Sequence, residues 1–321
     1  MTSKSKILVT GSSIRSDLLE PLRTAGHIVR VPDGTLTEAE LIRELADTEV
    51  YLYGGDEEAT APVIESSVAL RLIAFYGVGY ESFMDVEAVR RHGVRVTNTP
   101  GTLNNSVAEF TIGQLLNCRR HLTEYALKYL NGSSGDEAKQ SDLGAHTVGI
   151  IGMGGIGTRL AEILTKGFDA NVAYFSRTRK PALEEQLGIR YTSLNELFEV
   201  SESLLVMIPG NSETRHLVGE EQLGRLRHGS VLVNTARPEI VEPGSLDANL
   251  RSGRISAAAI DGYYSEKTEE TESLKQLQPH PLLITGHVAS LTHDARDAMT
   301  RRAVGSILNF LDTGADECIV V

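Results

Sequence analysis

Thr147-Val-Gly-Ile-Ile-Gly-Met-Gly-Gly-Ile-Gly157 runs from an apolar strand straight into G-x-G-x-x-G. A helical pattern follows to about Lys166. Each glycine has a physical task. Gly152 allows the tight turn, Gly154 lets backbone approach a pyrophosphate, and Gly157 permits close packing of helix on strand. The helix N-terminus that follows attracts negative charge. A glycine-rich turn alone is a common feature. Placed between a strand and a helix it predicts dinucleotide binding.

The next strand, Asn171–Phe175, ends in Ser176-Arg-Thr-Arg-Lys180. Domains of this kind that prefer NAD place Asp or Glu there, on the ribose hydroxyls. Here three cations and two hydroxyls replace the acid. Ser176, Arg177 and Thr178 can hydrogen-bond a 2′-phosphate, and an Arg can do so through two parallel donors. The plain alternative is an exposed basic loop. With the glycine loop upstream, the sequence favours NADP(H), with NAD(H) possible.

Outward from this segment the chain alternates strand and helix signals. Towards the N-terminus lie strands at Lys6–Thr10, Val50–Tyr53, Leu72–Phe75 and Val94–Thr97. Helices are predicted over Ile14–Ala25, Thr37–Ala46 and Asp85–His92, and Thr37 and Glu40 have the spacing of a capping box. One long helix is predicted from Leu103 to Leu130, with Ile112, Leu115, Leu116 and Leu122 at helical spacing. Asn131-Gly-Ser-Ser-Gly135 and a polar stretch to Gly144 form a crossing into a second domain. Beyond the glycine loop, strands are expected at Ser203–Ile208, Ser230–Asn234, Ser256–Ile260 and Leu282–Ile284. The acidic run near Lys267–Glu272 reads as a solvated loop. A final helix, Asp294–Leu311, returns to the first domain. This rhythm implies α/β domains built on parallel sheets covered on both faces.

The 321 residues suffice for two such domains. The net charge of −12, from 31 basic and 43 acidic residues, argues against a nucleic-acid binder, which needs a basic surplus. It leaves room for an anionic substrate held by a local Arg. No apolar run has bilayer length, and Met1–Lys6 leads directly into Ile7-Leu-Val9 without a secretory apolar region. Cys118 and Cys318 match no metal spacing and read as buried hydrophobes or free thiols. The expectation is a cytoplasmic protein with no metal and no membrane partner.

A set of motifs stands in one order along nearly the whole chain. It comprises Gly77-Val-Gly-Tyr80, Val96-Thr-Asn-Thr-Pro-Gly101, Val107-Ala-Glu109, the glycine loop and Glu213-Thr-Arg-His216. It continues with Val233-Asn-Thr-Ala-Arg237, Asp261 with Glu266, and Thr285-Gly-His287. Together they resemble the D-2-hydroxyacid dehydrogenase family, which includes phosphoglycerate dehydrogenase and glyoxylate/hydroxypyruvate reductase. The resemblance implies a Rossmann dinucleotide-binding domain, 102–288, inserted into a flavodoxin-like substrate-binding domain, 1–101 with 289–321. It implies reversible reduction of a small 2-oxo acid to the (D)-2-hydroxy acid, and a homodimer formed through the helix 103–130. A second implication, drawn from relatives that act as corepressors, is an NAD(P)H-sensing binding module without turnover.

By the same resemblance the catalytic set is Arg237, Glu266 and His287. Arg237 would hold the substrate carboxylate and polarise the 2-oxo group. His287 would exchange the proton, and Glu266 would orient the imidazole. Singly, each has a dull alternative as a surface charge or an ordinary histidine. Val78 and Gly79 would bind substrate through backbone amides. The cofactor would meet Gly155, Ile156, Ile208, Pro209, Thr214, Thr235, Ala236 and Ser290, with Asp261 on the nicotinamide amide. The chain departs from the family pattern at Pro238, Lys267 and Gly286, at Gly262-Tyr-Tyr264, at Glu81-Ser82, and in having no Trp. These changes fall on the walls of the expected pocket and leave the acid itself open.

Overall fold

A computed structural model of the chain describes residues 4–133 and 142–321. Part of the polar crossing expected after Asn131 lies outside them. The chain divides into two compact units, Met1–Leu103 with Leu291–Val321, and Asn104–Ser290.

The first unit is a five-stranded sheet: β1 (Lys6–Thr10), β2 (Ile28–Arg30), β3 (Val50–Tyr53), β4 (Leu72–Phe75) and β5 (Arg95–Thr97). All pairs are parallel, in the order β2-β1-β3-β4-β5, the doubly wound order of flavodoxin-like sheets. β3 and β4 are buried on both faces, which accounts for their unbroken apolar runs. The C-terminal helix His293–Thr313 covers one face, packing Ala303, Val304, Ile307 and Phe310 against Ile7, Val9, Val50 and Leu52. Thr37 caps the helix Glu38–Leu45, with Glu40 closing the capping box. The helix expected over Ile14–Ala25 is shorter and divided. A 3-10 turn at Ser16–Leu19 precedes a helix at Glu20–Thr24, because Pro21 lacks an N–H and begins a new first turn.

The second unit is a seven-stranded sheet: β6 (Thr147–Ile151), β7 (Asn171–Phe175), β8 (Arg190–Tyr191), β9 (Ser203–Val206), β10 (Ser230–Asn234), β11 (Ile255–Asp261) and β12 (Leu282–Thr285). Its order is β12-β11-β10-β9-β6-β7-β8, parallel throughout. The winding reverses between β6 and β9. Ligands of such sheets bind at the carboxyl ends of the strands beside that reversal, where the glycine loop lies.

Two further expectations need correction. The stretch Leu103–Leu130 is two helices, Asn104–Arg120 and Leu122–Leu130, broken at His121. His121 has φ +49°, in the left-handed region, so the helical ladder cannot continue through it. The Asn117 side chain accepts from Thr123 N and Oγ1 at 3.0 and 2.9 Å and starts the second helix. The acidic run near Lys267 is not simply a loop: Thr268 caps a helix at Glu269–Lys275. Its glutamates occupy the first turn, where the helix dipole favours them.

Candidate active site

The carboxyl ends of β10, β11 and β12 carry the charged residues. β10 ends at Asn234, whose side chain accepts from Ala236 N at 3.0 Å and donates to Arg237 O at 2.8 Å. That clamp fixes the turn bearing Arg237. The aliphatic stem of Arg237 lies against Gly210, where an added Cβ would fall 2.6 Å from Arg237 Cγ. Nη1 of the guanidinium donates to Ala236 O at 2.9 Å. Asn234 lies within the Val233–Arg237 motif, whereas Gly210 stands outside every motif of the sequence.

β11 ends at Asp261, which is buried. One oxygen accepts from Thr285 Oγ1 at 2.6 Å and Val288 N at 2.9 Å, and the other from Ala289 N at 2.8 Å. A buried carboxylate needs such partners, and here they come from the last residue of β12 and the turn that follows it. His287 sits inside that turn with φ +58°, a conformation costing on the order of 1–3 kcal/mol for a residue with a Cβ. Asp261 therefore braces the backbone that presents His287.

His287 keeps an open edge to solvent, yet the protein packed about its ring lowers its pKa. Burial is the main cause, the Arg237 cation adds to it, and Asp261 opposes both. Arg237, Asp261 and His287 thus share one electrostatic neighbourhood. Glu266 is placed differently. Its carboxylate takes a hydrogen bond from Arg215 Nη2 at 2.9 Å, and no hydrogen bond joins it to His287 among the described residues. The pair lines a pocket of about 200 Å³ with His216, Glu239 and Glu270.

The glycine loop closes over the end of β9. Gly152 has φ +101°, and a Cβ there would lie 2.5 Å from Met207 O. A Cβ on Gly157 would strike Gly152 O, so the helix Gly155–Phe168 is seated directly on the turn. Nothing lies within 4 Å of where a Gly154 Cβ would be. That open face, at the N-terminus of a 14-residue helix, fits a dinucleotide pyrophosphate.

Comparison with known proteins agrees with this geometry. Residues 112–289 match the family described as "D-isomer specific 2-hydroxyacid dehydrogenase, NAD binding domain". The chain is 32% identical to the glyoxylate reductase of Thermococcus litoralis over 293 residues, covering 87% of this chain and 84% of that protein. The chain belongs to the D-isomer specific 2-hydroxyacid dehydrogenase family. A second relative of the family, glyoxylate/hydroxypyruvate reductase B of Cronobacter sakazakii, is 30% identical and covers 94% of this chain and 93% of its own. Among solved structures, the TT0316 protein of Thermus thermophilus superposes with a TM-score of 0.85 at 30% identity, covering 98% and 100% of the two chains.

Several positions that the sequence picked out in this dehydrogenase have structural work of their own. Thr235 is buried, its hydroxyl 2.7 Å from that of Thr111. Thr214 Oγ1 donates to Pro209 O at 2.7 Å and accepts from Asn211 N at 2.9 Å, which shapes the loop after β9. Ile208 lies against Gly152. At the end of β7, Ser176 Oγ donates to Thr178 O at 2.6 Å. Arg179 is committed to Glu184, with Nη2 at 2.7 Å, and lies over the Tyr191 ring. Arg177 carries no ion pair among the described residues. In the first unit, Asn98 Nδ2 donates to Val78 O at 3.1 Å. The N–H groups of Val78 and Gly79 have no protein acceptor among the described residues. Among the tyrosines near these motifs, Tyr76 donates to Arg296 O and Tyr264 to Val241 O, both at 3.0 Å. Tyr263 is exposed and approaches Gly286, beside His287.

Proposed function

We propose that this protein reduces a small 2-oxo acid to the (D)-2-hydroxy acid, reversibly, using NADPH. The supporting observation is the shared neighbourhood of Arg237 and His287, with Asp261 bracing the turn between β12 and the residues after it. When bound, the nicotinamide supplies the hydride. Arg237 holds the carboxylate and polarises the ketone. His287 gives its proton to the carbonyl oxygen in reduction and takes it back in oxidation. The lowered pKa of His287 leaves less of its imidazole protonated in the free enzyme. A substrate carboxylate on Arg237 offsets the cation that depresses the imidazole, so substrate arrival itself favours protonation.

Purified protein with NADPH or NADH against a panel of 2-oxo acids, glyoxylate and hydroxypyruvate included, tests this. Folded, nucleotide-binding protein that turns over none of them ends the proposal.

Glu266 completes the catalytic set if it exchanges Arg215 for His287. The pair is solvent-exposed, and such pairs are worth about 0–1 kcal/mol, so the exchange costs little. Glu266→Gln is expected to lower kcat about tenfold or more and to alter its pH dependence, since the imidazole loses an orienting partner. Arg215→Ala is expected to leave kcat near that of the unmodified enzyme. Equal losses in both would make the pair structural only.

For the cofactor, Arg177 is the open cation and Arg179 the occupied one. Arg177→Ala is expected to raise the KM for NADPH about tenfold or more, the size of a charge-assisted contact, with little change for NADH. An unchanged KM for NADPH would remove the phosphate contact. We also propose that two copies associate through the segment containing Leu122–Leu130, where Leu122, Tyr129 and Leu130 are exposed. Light scattering is expected to give twice the chain mass, and a charged residue at Tyr129 and Leu130 to reduce it to one chain. We place the enzyme in the cytoplasm, in keeping with two unpaired cysteines; among the described residues no helix is long and apolar enough to cross a membrane.

A further inference from the structure

The break at His121 brings together three side chains that the proposed reaction does not use. His121 Nδ1 lies 3.3 Å from Glu124 Oε2 and 3.2 Å from His280 Nε2, and His280 Nε2 lies 3.1 Å from the same Glu124 oxygen. All three belong to the second unit. His121 and Glu124 stand at the start of the helix Leu122–Leu130, and His280 stands in the loop before β12.

Protons cannot satisfy this triangle. If both imidazoles donate to Glu124, two N–H groups face each other at 3.2 Å. If either nitrogen presents its lone pair, that lone pair confronts the carboxylate or leaves one contact without a hydrogen. A cation equidistant from the three atoms satisfies every contact. Bonds of about 2.0–2.1 Å in a tetrahedral zinc site place ligand atoms roughly 3.3 Å apart, close to all three separations here.

We propose that His121, Glu124 and His280 form a structural site for a divalent transition-metal ion, zinc above all. Two imidazoles and a carboxylate suit that ion. The site is organised beforehand. The left-handed backbone at His121 turns its ring towards His280, and the Asn117 bonds to Thr123 fix the turn. Lys128 Nζ donates to Glu124 Oε1 at 2.9 Å, leaving Oε2 as the single ligand oxygen. The side chains are about a quarter exposed, which leaves a fourth position to water. Cys118 lies in the same small cavity as His280 but outside the set of ligand atoms that lie within 4.8 Å of one another. The bound ion ties the helix break to the strand-entry loop, two segments 159 residues apart in sequence.

The test uses the full-length protein, stripped with a chelator and then titrated with zinc by calorimetry and with cobalt by visible absorption. One equivalent per chain, a cobalt spectrum of nitrogen and oxygen ligation without thiolate bands, and a raised Tm are expected. His121→Ala and His280→Ala are each expected to weaken zinc by more than the roughly 10–100-fold that loss of an outer-shell partner costs, while turnover with a 2-oxo acid is retained. Glu124→Gln, which keeps the side chain's shape, serves if a histidine variant does not fold. His287→Ala is expected to keep the full equivalent. No zinc uptake by the unmodified protein, uptake unchanged in the His121 and His280 variants, or uptake lost with His287 would each overturn the site.

Discussion

His287→Ala is expected to cut turnover of a 2-oxo acid by about 10²–10⁴, the ordinary contribution of a placed general acid, while nucleotide affinity is largely kept. The ring sits in a turn held by Asp261, so the backbone that carries it survives loss of the side chain. Alanine, like histidine, carries a Cβ at a φ of +58°, and the Asp261 hydrogen bonds to Val288 N and Ala289 N hold that conformation in the variant. A fall in turnover therefore reports on chemistry and not on folding. His216 supplies the control. It too has a left-handed φ, of +55°, and its N–H donates to Glu239 O at 2.8 Å, but it has no place in the proposed reaction. His216→Ala is expected to leave turnover near normal. Steady-state rates with saturating NADPH, together with nucleotide binding by fluorescence, decide the matter. Unchanged turnover in His287→Ala would remove this residue from the mechanism, and equal losses in both variants would point to loop geometry instead.

The strand frame was readable because buried parallel strands are short unbroken apolar runs, and most of their bounds follow from that. β2 and β8 escaped, being two or three residues long and partly exposed at the sheet edges. The glycine loop was legible because its glycines are demanded by local sterics, the close pass of Gly152 to Met207 O and of Gly157 to Gly152 O. The break at His121 was not. Its cause is a left-handed backbone at a non-glycine residue supported by a side chain four positions earlier, and nothing in the apolar periodicity marks it. The cluster with His280 was invisible for the same reason, since a ligand set assembled by folding leaves no fixed spacing in sequence. At the candidate active site the motif order predicted the residue types. It could not reveal that Asp261 spends both oxygens on the His287 turn, that Glu266 faces Arg215, or that Arg179 is occupied while Arg177 is open. Each of those facts depends on which of several nearby partners a charge selects, a choice made only once the chain has packed.

Arg237→Lys is expected to lower kcat by about 10²–10³, as loss of a preorganised donor at a developing negative charge does, and to raise the KM for the 2-oxo acid as well. Lysine keeps the charge but not the planar fork that reaches carboxylate and ketone together. Its stem also lacks the guanidinium's hydrogen bond to Ala236 O that helps to aim the group. Arg237→Met separates charge from geometry. The Arg237 cation is one of the causes that depress the pKa of His287. Reduction needs protonated His287, so its rate falls as pH rises through that pKa. Removing the cation raises the pKa, and the falling limb of the residual reduction moves to higher pH in Arg237→Met. In Arg237→Lys the cation remains and the limb stays where it is. Oxidation of the 2-hydroxy acid needs the neutral imidazole, so its rising limb moves in the same direction, towards higher pH, in the methionine variant alone. Profiles of kcat/KM against pH for the unmodified enzyme and the two variants measure all of this. Coincident limbs in the lysine and methionine variants would show that the charge of Arg237 does not set the protonation of His287, and the coupling between substrate arrival and protonation would fall with it.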